Sequence, residues 1–392
     1  MKKKNLKKNW KLKVLILCLS LCLVSLVTIE IKYPVDTGIL LYSGKSSPEL
    51  SDKVKIIDQI ENMMIHSIKN GVLWASSGNT IFMSPDGGKN WKKRGTLPYE
   101  ITTPRRYIDS SVFRKVFGKY GIFNLIILDS GTFLVPNGEY IWRSTDNGNT
   151  FEKVHQTKYF PLLQGWTEKN GEVYYGEYIC PNTGRKEVHL WKSIDDGKSW
   201  FVVYTFPAGS IRHIHSVEYD PYGDKLWITT GDEDSESKIM YSTDGGETFT
   251  IIGRGTQEWR AVSLMFTDNF VYWGMDSPAQ QNYIVQWDRK TGERKTLTEI
   301  DGPAYYSTEL NDGSLILATT VENGPGELDN SAHIWLKKDG CHNWEEIASW
   351  KKIQSTRDYG FIKLPHPNES SDLYLTPLNT EGHYSIFRLS ID

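Results

Sequence analysis

Cysteine is scarce in this chain: there are four in 392 residues, and Cys18 and Cys22 sit within one apolar stretch near the amino terminus. So few thiols exclude a disulfide-stapled scaffold. An excess of cations is also missing. The formal net charge is −3, and seven lysines fall within the first thirteen residues, so the other 379 residues carry 38 basic against 48 acidic side chains. A body of that sign lacks the electrostatic footprint of a nucleic-acid binder. The third absence is a small-residue cleavage site after the uncharged run Val14 to Ile29. A lysine-flanked run of that length predicts an uncleaved signal anchor. The lysine bias then puts residues 1–13 in the cytoplasm, a transmembrane segment at 14–30 and a tether at 31–47 on the outer side.

Aromatic residues and glycine are plentiful. Fourteen Trp, 21 Tyr and 33 Gly describe stiff strands joined by tight turns, which predicts an all-β body over residues 48–392. One pattern recurs: Ser84 to Trp91 (SPDGGKNW), Ser144 to Phe151 (STDNGNTF), Ser193 to Trp200 (SIDDGKSW) and Ser242 to Phe249 (STDGGETF), with an eroded copy at Asp339 to Trp344. In each copy the Ser and Asp can bond nearby backbone N–H groups and Gly can take φ > 0, while the closing aromatic packs as the next strand begins. Asp86, Asp146, Asp195 and Asp244 are therefore read as turn-holding residues, not as a catalytic set. Copies two to four are spaced by 49 residues, the length of four short strands.

The pattern resembles the Asp-box, or bacterial neuraminidase repeat, of sialidase-like β-propellers. That resemblance implies a β-propeller. Strand and turn signals divide the chain into seven blades, with six or eight as the alternatives, and residues 53–60 supply the outer strand that closes the ring against the carboxyl terminus. Closure without open sheet edges predicts a monomer. The Arg-Ile-Pro motif that sialidases carry before their first box is absent ahead of Ser84. The chain is thus no typical sialidase, and the reaction does not transfer with the fold.

The repeats belong to one face of such a ring, so function is expected on the other, where each inner strand is entered and where second and third strands are joined. Those positions hold Glu177, Tyr178 and Arg185 in the third blade, with His213, His215 and the acidic run Asp232 to Glu236 in the fourth. The fifth holds Gln257, Arg260, Asp276 and Asn282. His213 and His215, two apart on a strand, share a face and are read as proton-transfer groups or metal ligands. Glu177, Asp232 and Asp276 complete the catalytic candidates. Arg260, Arg185, Gln257, Tyr178 and Asn282 are the ligand-binding candidates, with Arg260 gripping a carboxylate. A divalent cation is expected near His213, His215 and Asp234 if one is bound. The basic insertion around Arg105, Arg106 and Arg114 is assigned to the same face. Two functions follow as expectations. One is a hydrolase or lyase, of glycoside hydrolase or polysaccharide lyase type, for an acidic glycan of the cell surface. The other is a non-catalytic scaffold or assembly factor that binds glycan or protein.

Overall fold

The computed structural model describes residues 47–98, 121–157, 159–180, 182–353 and 359–392. The expected anchor at 14–30 and the basic insertion lie outside these residues. Among the described residues no helix is long and apolar enough to cross a membrane.

The described residues open with β1 (Glu49–Leu50) and β2 (Val54–Glu61). Five separate antiparallel sheets of four strands follow in chain order. The first is β3 (Met64–Lys69), β4 (Val72–Ser77), β5 (Thr80–Ser84) and β6 (Lys92–Thr96). The second is β7 (Ile126–Ile127), β8 (Phe133–Asn137), β9 (Tyr140–Ser144) and β10 (Glu152–Gln156), and the third is β11 (Trp166–Lys169), β12 (Glu172–Gly176), β13 (Val188–Ser193) and β14 (Phe201–Phe206). The fourth holds β15 (His213–Asp220), β16 (Lys225–Gly231), β17 (Lys238–Ser242) and β18 (Thr250–Arg254). The fifth holds β19 (Met265–Phe266), β20 (Phe270–Gly274), β21 (Asn282–Asp288) and β22 (Arg294–Ile300).

The remaining strands form one nine-stranded sheet: β23 (Ala304–Glu309), β24 (Leu315–Val321), β25 (Ser331–Lys337), β26 (Glu345–Lys351), β27 (Gly360–Lys363), β28 (Leu373–Leu378) and β29 (Ser385–Ile391), with β1 and β2 at its edges. It joins two four-stranded units where Thr320 and Val321 face Phe361 and Gly360. Strand β2 pairs β29 from Val54↔Ile391 to Glu61↔Ser385, tying the two ends of the body together. Strand β1 adds a short pairing to β26. The arrangement is all-β and propeller-like.

Each repeat closes the hairpin between the third and fourth strands of its sheet. Ser84 Oγ donates to Asp86 Oδ1 at 2.7 Å and accepts from Gly88 N at 2.9 Å, while Asp86 Oδ1 accepts from Asn90 N at 2.9 Å. Ser242, Asp244, Gly246 and Thr248 repeat that pattern. Gly246, at φ +94°, lies where a Cβ would stand 3.0 Å from Leu190 of the previous sheet. The turn thus needs glycine both for its backbone and for its neighbour. Large rings fill the seams between sheets, as where Trp74 meets Phe133 edge-on at 4.9 Å. Asp220, fully buried at the end of β15, receives both Nη atoms of Arg289, at 2.5 and 2.9 Å, which fastens the fourth sheet to the fifth.

Candidate functional site: a histidine pair and its carboxylate

Strands β15 and β16 build the centre of the site. His213 faces Gly231, and the register slips between Ile214 and Ser216, so His215 occupies a bulge. Both rings turn to the same place. A Cβ on Gly231 would lie 2.9 Å from His215 Cε1 and from Arg260 Cγ, so only glycine leaves them room. His213 Nδ1 is 3.0 Å from the Ile179 carbonyl oxygen, and His215 Nδ1 is 3.0 Å from that of Ala261. The two Nε2 atoms are 3.0 Å apart, and each lies 3.3 Å from Asp232 Oδ1. Asp232 is the first residue beyond β16.

An ion-pair network surrounds this triad. Asp232 Oδ2 takes Arg212 Nη1 at 2.8 Å, and Oδ1 lies 3.3 Å from Arg260 Nη2. Arg260 Nε donates to Asp276 Oδ2 at 2.9 Å, and its Nη1 donates to the Asp232 carbonyl at 3.0 Å. The Tyr178 ring stacks on His213 with centroids 4.0 Å apart. Burial pushes the His215 imidazole down to about 4, with His213 and Arg260 adding to the effect against Asp232. Burial alone would raise the Asp232 carboxyl, yet its contacts with both histidines hold it well below the ordinary range. Asp276 is pushed up to about 8, first by burial and then by Glu322 and Asp232, with Arg260 opposing.

The sequence candidates do not all meet here. His213, His215, Asp232, Tyr178, Arg260, Gln257 and Asp276 do. Asp234 does not take the place expected for it beside the histidines: its Oδ1 accepts from Gln257 Nε2 at 2.9 Å, and Asp232 is the carboxylate that reaches both rings. The turn that bonds Glu236 N to Glu233 O carries Asp234 outward. Arg260 is not a free grip for a ligand, because its donors are taken by Asp276, Asp232 and Gln257. It also precedes the inner strand β19 by five residues, following a 3-10 turn at Gln257–Trp259. Glu177 is enclosed by His189 N and Nδ1 and by Trp191 Nε1. Asn282 spends its amide on Ser277. Arg185 pairs with Glu233 and Glu236 at 2.7 and 2.5 Å.

Two residues outside the sequence candidates belong to this region. Arg212 contacts Asp232 and Glu233. Glu322 follows β24 and accepts from Tyr305 Oη at 2.6 Å; its carboxyl is pushed up by burial and interacts with Arg260 and Asp232. A signal for Glu322 was present in the chain. An acid stands just past the second strand in four successive units, as YYGE to Glu177, TTGD to Asp232, WGMD to Asp276 and TTVE to Glu322.

A second histidine cluster lies between β25 and β26. His333 Nδ1 is 2.9 Å from Glu346 Oε1, and its Nε2 is 3.3 Å from Asp329 Oδ1 and 3.6 Å from Asp301 Oδ2. Burial opposes its charge, but the carboxylates prevail and push the imidazole up to about 10. Elsewhere, where inner strands end, cavities of about 380 and 300 Å³ are lined by Glu218, Glu309, Lys69 and His366 among others.

No family model and no curated protein matches the sequence. Among solved structures, the chain is similar to a GH74 enzyme from Niastella koreensis, with 16% identity, a TM-score of 0.50, and coverage of 75% of this chain and 47% of that one. It is similar to the extracellular domain of a protein described as a hybrid two component system from B. thetaiotaomicron, with 11% identity, a TM-score of 0.51, and coverage of 89% and 40%. It is also similar to a chain of the mitotic checkpoint complex, with 9% identity, a TM-score of 0.51, and coverage of 90% and 99%. The chain spans less than half the length of the first two. These likenesses are of fold alone, and that fold is propeller-like.

Proposed function

We propose that the protein is a membrane-anchored, extracytoplasmic propeller of seven blades that binds an acidic glycan over its third and fourth sheets. The seven blades are the five separate sheets, β23 to β26, and β27 to β29 completed by β2. The observation that supports the ligand class is Glu233. Its carboxylate is 59% exposed and sits between Arg185 Nη2 at 2.7 Å and Arg212 Nη2 at 3.0 Å. A sugar carboxylate can take that place, held by two guanidinium groups as Glu233 now is. The exposed Tyr359, whose hydroxyl burial and then Glu322, Asp276 and Asp232 push up, offers a ring face for stacking. The GH74 enzyme and the extracellular domain of similar fold are compatible with this setting. Binding, and not cleavage, is the reading preferred, because His213, His215 and Asp276 are 0–2% exposed and too enclosed to reach a glycosidic bond.

The test is binding of the full-length protein to polygalacturonate and to neutral dextran. Polygalacturonate alone should bind. Arg212→Ala and Arg185→Ala should each weaken it about tenfold or more, whereas Glu233→Gln, which removes the internal competitor, should tighten it. Equal binding of both polymers, or indifference to Arg212→Ala, would contradict the ligand class. Release of reducing ends would replace the binding reading with the hydrolase or lyase one. Membrane fractionation tests the anchor: full-length chain found freely soluble with its amino terminus intact would remove it.

A further inference from the structure

We infer that His213, His215 and Asp232 form a binding site for a divalent transition-metal ion, with zinc the best fit. The inference stands independently of the glycan reading. Each ring presents Nδ1 to a backbone carbonyl, and a carbonyl can only accept, so each Nδ1 carries the proton. In the neutral ring, the form in which imidazole binds a metal, each Nε2 is then a bare lone pair. These lone pairs face each other at 3.0 Å, with a carboxylate oxygen 3.3 Å from each. Arg260 Nη2 reaches only the carboxylate oxygen, at 3.3 Å, so the two facing nitrogen lone pairs repel each other unless a cation lies among the three atoms.

The geometry points to a metal ion over a shared proton. A proton bridges one pair of atoms and leaves the third contact unsatisfied. A tetrahedral ion with bonds of about 2.0–2.1 Å places its ligand atoms about 3.3–3.4 Å apart, and all three separations here, 3.0, 3.3 and 3.3 Å, are close to that. The Nδ1 to carbonyl bonds are the outer contacts that orient metal-binding imidazoles. Two nitrogens and one oxygen suit zinc and its first-row neighbours, whereas magnesium and calcium favour all-oxygen sets. Arg212 and Arg260 bring positive charge onto Asp232, and Glu233, Asp276 and Glu322 stand against it. Asp232, 22% exposed, provides the entry side, since Tyr178 covers the face of His213. Three protein ligands leave a fourth position for water or a ligand oxygen.

Full-length protein in detergent, stripped with a chelator and titrated with zinc chloride by calorimetry, should take up one ion per chain at this site. His215→Ala and Asp232→Asn should each weaken that binding at least about 100-fold, whereas His333→Gln should bind as the wild type does. Should His215→Ala fail to fold, the near-isosteric Asp232→Asn decides. Cobalt(II) added to wild type should in addition give the intense visible bands of a tetrahedral or five-coordinate ion. No zinc uptake by wild type at millimolar concentration, or undiminished uptake by Asp232→Asn, would overturn the site.

Discussion

The two buried histidine clusters contain the same chemical parts and arrange them oppositely. At His333, carboxylates face both ring nitrogens: Glu346 lies at Nδ1, and Asp329 and Asp301 lie at Nε2. Both nitrogens must therefore donate, and the ring is an imidazolium held by three acids. At His213 and His215 each Nδ1 meets a backbone carbonyl, and the two Nε2 atoms point at each other at 3.0 Å over a single carboxylate that also pairs with Arg212 and Arg260, so they cannot both donate there. Whether Nε2 meets several acids or a second Nε2 decides whether the cluster holds a proton or offers ligands. A census of His, Asp and Glu would score the two alike.

The largest expected effect is at the proton-holding cluster. His333→Gln leaves the enclosed Asp301 and the half-exposed Asp329 and Glu346 without their cation, which should cost about 3 kcal/mol in denaturant unfolding, the low end for a buried pair. The pH dependence sharpens this. A folded value near 10, above the ordinary 6.5, means that the stabilisation is complete below pH 6.5 and is lost as pH rises through 10. Comparing wild type with His333→Gln across that window should show the difference shrinking. If the gap stays constant with pH, His333 is not an imidazolium.

Zinc should act next, and only on the other cluster. At about 100 times its dissociation constant, an ion that binds the folded form alone adds about 2.7 kcal/mol, so wild type and His333→Gln should melt several degrees higher with zinc while Asp232→Asn should not. An equal rise in all three would mean that the ion sits elsewhere. A smaller change is expected from Glu346→Gln. Glu346 is 44% exposed, so stability should fall by about 1 kcal/mol or less, and the His333 imidazole should titrate at lower pH by NMR. An unchanged titration would place the charge control with Asp301 and Asp329 alone.

The smallest effect concerns a carboxylate paired only with neutral donors. Asp244 accepts from Ser242 Oγ, Glu247 N and Thr248 N and Oγ1 at an exposed turn. These bonds hold its carboxyl well below the ordinary range, so their contribution is present above about pH 4 and fades as pH falls further. Asp244→Ala should lower the melting temperature by about a degree at neutral pH and leave zinc and polygalacturonate binding intact. Loss of ligand binding with an unchanged melting temperature would mean that the turns, and not the histidine face, carry the function.

Local chemistry accounts for what the chain disclosed in advance. The repeats are self-contained: Ser, Asp and Gly within five residues satisfy one another, so their turns and the strands around them were legible. The pairing of residues 54–61 with the carboxyl-terminal strand was legible because a three-stranded remnant needs an outer partner. The same-face placement of His213 and His215 followed from strand period, even though a bulge intervenes. Choices that depend on distant partners were not legible. Within Asp232-Glu-Asp-Ser-Glu236 the residue types do not separate Asp232 from Asp234; the place of Asp232 directly after β16, shared by the acids of the neighbouring units, does. Arg260 and Arg212 look equally free on paper, yet Asp276 and Asp232 hold Arg260 while Asp232 and Glu233 hold Arg212. The carbonyls of Ile179 and Ala261 that set both histidine tautomers leave no mark on the sequence at all.

X-ray absorption at the zinc K-edge of the zinc-loaded full-length protein tests most directly the claim that tautomer control makes one cluster a ligand set. The expected spectrum has scattering from two imidazole rings and from oxygen at about 2.0–2.1 Å, unchanged in His333→Gln and stripped of its imidazole signal in His215→Ala or Asp232→Asn. An oxygen-only spectrum in the wild type, or imidazole scattering that vanishes in His333→Gln instead, would contradict it.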